Sequence, residues 1–278
     1  PYALNMGYLQ VSSLNGGSWS LEADSHATLP TSLGLNRHRL PKGLKLNIKE
    51  AKTQSSVINV FSIASGLTYE RMIRIMILSV MKKTNDPVHL WLVDNFASRD
   101  FKQSVEAMAK ELGFSLSWLN YRWPSWLHAQ QQLHREVWAY KILFLDAMFP
   151  ESVDRIIYID ADQVVRGDLA ELRDLDMEGK PYGMVPFCED GGRPDTEGYR
   201  FWKGGFWEKH LRGATYHISA LFVVDLVAFR RLGVGNRLRQ HYHLLSHDPN
   251  SLANLDQDLP NYLQAEIPIY SLPQEWLW

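Results

Sequence analysis

Between Val57 and Asp160 short apolar runs alternate with longer segments of helical periodicity, and few architectures accommodate that alternation. VINVFSI (57–63), HLWLVDN (89–95), FSLSWL (114–119) and RIIYID (155–160) are short, continuous and rich in β-branched and aromatic residues, as buried strands are. YERMIRIMILSVMKK (69–83) reads as a largely buried helix. FKQSVEAMAKEL (101–112) places Phe101, Val105, Met108, Ala109 and Leu112 on one helical face. EVWAYKILFLDAMF (136–149) reads as one further helix ending at Pro150. Helical crossovers join parallel strands, so the pattern predicts an α/β fold: a Rossmann-like, mainly parallel sheet with helices on both faces. Past residue 180 the pattern loosens, with YGMVPF and SALFVV as strands around a loop rich in glycine and aromatics. Residues 1–24 read as a β-hairpin, YLQVSSL and SWSLEA joined at NGG, and 25–56 as a linker. The main domain is expected over 57–278.

Ligands of such sheets bind beyond the carboxyl ends of the strands, and RIIYID runs there straight into Asp160 and Asp162. Asp-x-Asp alone means little. It also occurs at Asp174/Asp176 and Asp256/Asp258, and roughly one copy is expected by chance in a chain this long. Context separates the three. Side chains alternate across a strand, so both carboxylates are expected to point the same way with Ala161 opposite, and two acids surfacing side by side repel unless a cation sits between them. A hard divalent ion with oxygen ligands resolves the conflict and can neutralise a diphosphate. Asp174/Asp176 in ELRDLDMEGK fits a solvated surface turn. Asp256/Asp258 in NLDQDLPN fits equally a helix start with one acid as N-cap.

Other classes are disfavoured. The formal net charge of −2, with no block of Lys or Arg, argues against a nucleic-acid or anionic-membrane surface. No apolar stretch reaches the roughly 20 residues of a membrane helix. GVGNRL (233–238) lacks the third glycine and follows no strand, so a dinucleotide-binding dehydrogenase is disfavoured, and no phosphate-binding GxxxxGK[ST] is present. A diphosphate held by metal instead of a glycine loop points to nucleotide-sugar enzymes. The single Cys188 excludes an internal disulfide, and a chain running from Pro1 to EWLW is expected to be a piece of a longer one.

The blocks VFSIASGLTYERMIRIMILSV, YKILFLDAMFP, YIDADQVVRGDL, YHISALFVVDL, NLDQDLPN and SLPQEWLW, in this order, closely resemble the C-terminal catalytic domain of the eukaryotic UDP-glucose:glycoprotein glucosyltransferases. More distantly they are similar to the retaining transferases of the glycogenin and bacterial galactosyltransferase group. Residues 1–24 resemble the end of the β-rich region preceding that domain. The resemblance implies a GT-A fold and a divalent metal (Ca²⁺ or Mn²⁺, with Mg²⁺ possible). It implies UDP-glucose as donor and a terminal mannose of high-mannose N-glycans on misfolded glycoproteins as acceptor. The linkage would be α1,3 with retention, the compartment the endoplasmic-reticulum lumen, and upstream domains of the same full-length chain the partners. The same resemblance makes Asp160 and Asp162 metal ligands and assigns the donor site to Ala64, Ser65, Gly66, Tyr69, Asp160, Ala161, Ser219 and Ala220. Lys141 would lie over donor sugar and phosphate, with Asp256 and Gln257 below the glucose; a further metal ligand in these families follows the PQEWLW block. A GT-A domain without activity, acting as a glycan- or client-binding module, is the alternative. The segment GYRFWKGGFWEKH (198–210) offers Trp202 and Trp207 as candidate acceptor contacts, or as packing.

Overall fold

The structure, a computed structural model, describes residues 56–188, 198–248 and 250–277 in full, and 9–13 and 18–21 by their backbone. The expected hairpin turn at NGG and nearly all of the expected linker (25–56) lie outside the described residues. The chain order is β1 (Leu9–Ser13), β2 (Ser18–Leu21), β3 (Ile58–Ser62), α1 (Gly66–Lys83), β4 (Val88–Val93), α2 (Arg99–Leu112) and β5 (Ser115–Tyr121). Then follow α3 (Leu133–Leu143), α4 (Leu145–Met148), β6 (Arg155–Ile159), α5 (Ala170–Asp174), β7 (Tyr182–Pro186), α6 (Gly205–Leu211) and β8 (His217–Asp225). The chain finishes with α7 (Leu226–Arg231), α8 (Val234–Leu245), α9 (Leu255–Tyr262) and β9 (Ile269–Ser271).

Among the described residues nine strands join one sheet in the order β2-β1-β5-β4-β3-β6-β8-β7-β9. β5, β4, β3 and β6 pair in parallel, and β7 with β9 likewise, whereas β8 runs antiparallel to both β6 and β7. Among the described strands from β3 onward, only β8 is reversed. β1 pairs antiparallel with β2 and with β5, so the short N-terminal strands extend this same sheet.

Alternation along each strand sends side chains to two separate cores. Phe61, Trp91, Tyr158, Met184 and Phe222 face α3, α4, α7, α8 and α9. Val60, Leu90, Ile157, Val185 and Leu221 face α1, α2 and α5. Helices therefore cover both faces, as the periodicity predicts. The expected single helix over 136–149 is instead broken: Phe144 adopts φ −122° and ψ 17°, and α3 gives way to the single turn of α4. Leu143, Phe144, Leu145 and Met148 are all fully buried, and an apolar run without a polar face carries no signal of where its axis bends.

Gly235 shows how tightly this layer is packed. A Cβ there would lie 2.3–2.4 Å from the carboxylate of Asp146, which Arg239 holds with two hydrogen bonds of 2.7 and 2.8 Å. Gly235→Ala is expected to destabilise the domain by about 1–3 kcal/mol, measured by urea unfolding, because neither the helix nor the paired carboxylate can retreat.

One half-buried and one buried histidine shape the acid response. His89 stacks on Trp91 at 4.2 Å and bonds Ser117 Oγ at 2.9 Å; His217 Nε2 lies 2.9 Å from Ser271 Oγ. Burial lowers each from the ordinary 6.5 to about 4. A depressed imidazole contributes stability that is intact above pH 6.5 and is lost as pH falls toward 4. The thermal midpoint is therefore expected to fall across that window, and His89→Gln to shallow the slope; a midpoint flat between pH 6.5 and 4 would contradict it.

Candidate active site

The parallel strands deliver their carboxyl ends to one edge, and β8, being reversed, brings its beginning to that edge. Ser219 and Ala220 therefore stand beside the end of β6, with Ile159 opposite Leu221 and the Asp160 amide donating to the Ala220 carbonyl at 2.9 Å. On the other side Ser62 Oγ donates to the Ile159 carbonyl at 2.6 Å and ties the ends of β3 and β6 together. Ala64, Ser65 and Gly66 follow directly on β3. Gly66 takes φ +80°, which a side chain would oppose, and Ser65 opens α1, whose first turn carries the half-exposed Tyr69.

Asp160 and Asp162 do not project together from a strand. β6 ends at Ile159, and a turn closed by the Gln163 amide on the Asp160 carbonyl parts the two acids. Asp162 is exposed. Asp160 turns inward, where its Oδ1 accepts from Lys141 Nζ at 2.9 Å and from the Tyr158 hydroxyl at 2.8 Å. Ala161 between them is buried.

Lys141 is the hub. It is 2% exposed, and its ammonium reaches Asp160 Oδ1 at 2.9 Å, Asp256 Oδ2 at 2.8 Å and Ser219 Oγ at 3.4 Å. The Tyr158 ring lies 4.5 Å away and Phe222 6.0 Å. Burial alone would pull this ammonium down, but the two carboxylates outweigh it and hold it above the usual lysine range. Burial pushes Asp160 up, offset only in part by Lys141. All three lysine protons are aimed at protein oxygens, so Lys141 is first a clamp on two carboxylates.

Asp256 and Gln257 sit in the first turn of α9, both buried. Ser219 Oγ donates to Asp256 Oδ2 at 2.8 Å, and the Ser219 amide to Gln257 Oε1 at 3.4 Å. The expected helix start is present, but Asn254 occupies the N-cap, and Asp258 reaches back to accept from its amide at 2.9 Å. Asn261, fully buried, fixes α9 to β8 through the His217 amide and carbonyl at 2.8 and 2.7 Å. Burial pushes the Asp258 carboxyl up, countered by the hydrogen bonds it accepts.

Lys141, Asp160, Ser219, Ala220, Asp256 and Gln257 thus form one connected network, with the 64–66 turn at the adjoining strand end. Asp174 lies apart, on the surface, bonded to Arg173 by two contacts of 2.7 Å. The aromatic segment divides. Trp202 is 4% exposed and stacks on Phe187 at 4.8 Å and on Tyr216 at 5.4 Å, and Trp207 meets Tyr216 edge-on at 5.0 Å. These rings pack around the fully buried Tyr216, which the part-exposed Phe201 also meets edge-on at 5.2 Å; Tyr199 and Phe206 face outward instead. Sequence reasoning missed Tyr158, Tyr216 and Asp258. Tyr158 was the recoverable one, two residues before Asp160 and therefore on its side of the strand.

Two carboxylates of different exposure can still share a cation. Tyr158 and Lys141 both use Oδ1 of Asp160, leaving Oδ2 available, and Asp162 is open to solvent. Among the described residues no three or more His, Cys, Asp or Glu side chains converge for a metal. The oxygen donors fit a hard ion whose remaining ligands come from elsewhere.

The sequence profile of Glucosyltransferase 24 matches residues 58–278. The UDP-glucose:glycoprotein glucosyltransferase 2 of Homo sapiens is 56% identical over 230 residues, covering 83% of this chain and 15% of that protein. A probable UDP-glucose:glycoprotein glucosyltransferase A of Dictyostelium discoideum is 56% identical over 229 residues, 82% of this chain and 14% of its own. The chain therefore spans about one seventh of the length of these relatives. The crystal structure of the galactosyltransferase LgtC with donor and acceptor sugar analogues superimposes with a TM-score of 0.56 at 19% identity, over 74% of this chain and 70% of that one. That likeness is one of fold, and the fold is GT-A. With a family profile covering the whole sheet from β3 to the last described residue, the chain belongs to the Glucosyltransferase 24 family.

Proposed function

We propose that this chain is the catalytic part of a retaining glucosyltransferase that moves glucose from UDP-glucose to a terminal mannose, in α1,3 linkage, on high-mannose N-glycans of misfolded glycoproteins. The compartment is the endoplasmic-reticulum lumen, with client recognition shared by upstream domains of a longer chain. The observation that carries the reading is the buried Lys141 joining Asp160 at the end of β6 to Asp256 on α9. It sets a donor-facing turn and a sugar-facing helix start at a fixed separation. The names of relatives 51–56% identical to this chain support donor and acceptor class.

Asp160 through Oδ2, together with Asp162, would hold a divalent cation, Ca²⁺, Mn²⁺ or Mg²⁺. When bound it neutralises charge on the departing diphosphate. The protein residues do the rest. The 64–66 turn and Tyr69 line the uridine side, and Ser219 and Ala220 the sugar. Asp256, an acceptor oriented by Lys141 and Ser219, takes a glucose hydroxyl. Lys141 adds a positive field under the leaving phosphate without surrendering its own hydrogen bonds. Gln257 lies below the anomeric carbon, and an amide is too weak a nucleophile for a covalent intermediate. Front-face attack beside the leaving phosphate, with the amide steadying positive charge at that carbon, accounts for retention.

Asp162→Ala is the cleanest test, because this exposed side chain can be lost without disturbing the fold. Release of UDP from UDP-glucose, with and without a high-mannose glycoprotein, is expected to drop at least about 100-fold. Asp160→Ala behaves alike, while Asp174→Ala stays near wild type. Wild-type turnover in Asp162→Ala removes the cation site from the reading.

Metal affinity carries a second expectation. Two carboxylates fall short of the six or more ligands a hard cation takes, and diphosphate oxygens supply some of the balance. By linkage, UDP should tighten Mn²⁺ binding, and Mn²⁺ should tighten UDP by the same factor, each read by calorimetry. Metal binding equally tight with and without UDP would show that the site is complete without nucleotide.

A further inference from the structure

Around Gln257 the hydrogen bonds have only one consistent direction, and the residue that imposes it is Tyr216. Asp258 is a carboxylate, able only to accept, and its Oδ1 lies 2.5 Å from the Tyr216 hydroxyl while Oδ2 takes the Asn254 amide. The phenolic proton is therefore committed to Asp258. Only lone pairs of Tyr216 remain for its other neighbour, Gln257, which must turn Nε2 toward it, at 3.2 Å. The opposite end of the amide, Oε1, then faces the Ser219 N–H at 3.4 Å, a donor that cannot reverse. An amide flipped by 180° would set N–H against N–H at Ser219 and would lose its acceptor at Tyr216. The ring beneath is immobile: Tyr216 is fully buried, stacked on Trp202 at 5.4 Å and flanked by Trp207 and Phe201 at 5.0 and 5.2 Å.

We infer that Tyr216, with Asp258 behind it, is a positioning residue for transfer, fixing which face of the Gln257 amide is presented to the anomeric carbon. The inference rests on the reading that Gln257 lies below the donor sugar. It also accounts for the inward aromatic cluster, since Phe187, Trp202 and Trp207 hold the phenol whose oxygen sets the amide. Catalysis by oriented dipoles is sensitive to such detail, since a misplacement of about 1 Å can lower a rate roughly 100-fold.

Tyr216→Phe removes one oxygen and keeps the packed ring. With UDP-glucose, Mn²⁺ and a high-mannose glycoprotein, kcat is expected to fall roughly 10- to 100-fold while KM for UDP-glucose stays within about two-fold, since the hydroxyl touches no substrate. The decisive measurement is a double-mutant cycle. If Tyr216 works through the amide, adding Tyr216→Phe to Gln257→Ala lowers kcat no further than Gln257→Ala alone. A purely structural tyrosine would instead add its loss in either background. Asp258→Asn, which frees the phenolic proton, should show the same split and the same non-additivity, and serves if Tyr216→Phe folds poorly. Wild-type kcat in Tyr216→Phe, or losses that multiply in the Gln257→Ala background, overturns the inference while leaving Gln257 its role. Wild-type kcat in Gln257→Ala overturns that role and the inference with it.

Discussion

A lysine with almost no solvent contact, sharing its charge between two acids from distant parts of the chain, is the constraint around which this site is arranged. An ammonium in an apolar interior is tolerated only when paired and hydrogen-bonded. Here the pairing is met by Asp160 and Asp256, the remaining proton by Ser219, and one flank by the Tyr158 ring. Each partner comes from a different element, so satisfying one charge aligns the end of β6, the start of β8 and the first turn of α9. Positioning for chemistry and avoidance of an unpaired buried charge are here one requirement.

The reversal of β8 makes that convergence geometrically possible. Were β8 parallel like its neighbours, Ser219 and Ala220 would emerge at the far edge of the sheet, away from Asp160. Reversal places the beginning of β8 where the other strands end, and the segment preceding it then leads directly to Tyr216 and the ring cluster around it. Sheet direction and hydrogen-bond direction thus belong to one arrangement.

Much of the architecture was legible because burial on two faces leaves a periodic trace. VINVFSI, HLWLVDN and RIIYID differ from the helices between them in length and in β-branched content, and the parallel block follows. The resemblance of six blocks then brought Asp160, Asp256 and Lys141 into one expectation. What periodicity could not convey was direction and depth. An apolar strand such as SALFVV looks the same whether it runs parallel or antiparallel, and the fully buried run around Phe144 has no polar face to mark its break. The alternation argument for Asp160 and Asp162 failed for a related reason: it assumed extended backbone past Ile159, where a turn separates an inward acid from an exposed one. Tyr216 was hidden because its role depends on a proton committed to Asp258, a relation between side chains and not a pattern along the chain.

The span of the lysine network bears on how the polypeptide acquires its structure during synthesis. Asp160 follows Lys141 by 19 positions, but Asp256 follows it by more than a hundred. Until α9 has left the ribosome, the β3–β6 layer can pair its strands, yet its lysine has one acid instead of two and the start of β8 has no helix to bind. Contacts of long sequence separation form late because the loop-closure entropy is met before they give any return. The nascent domain is therefore committed last at the very place where it would act, and a chain stalled before Leu255 would carry most of a sheet and none of a completed site.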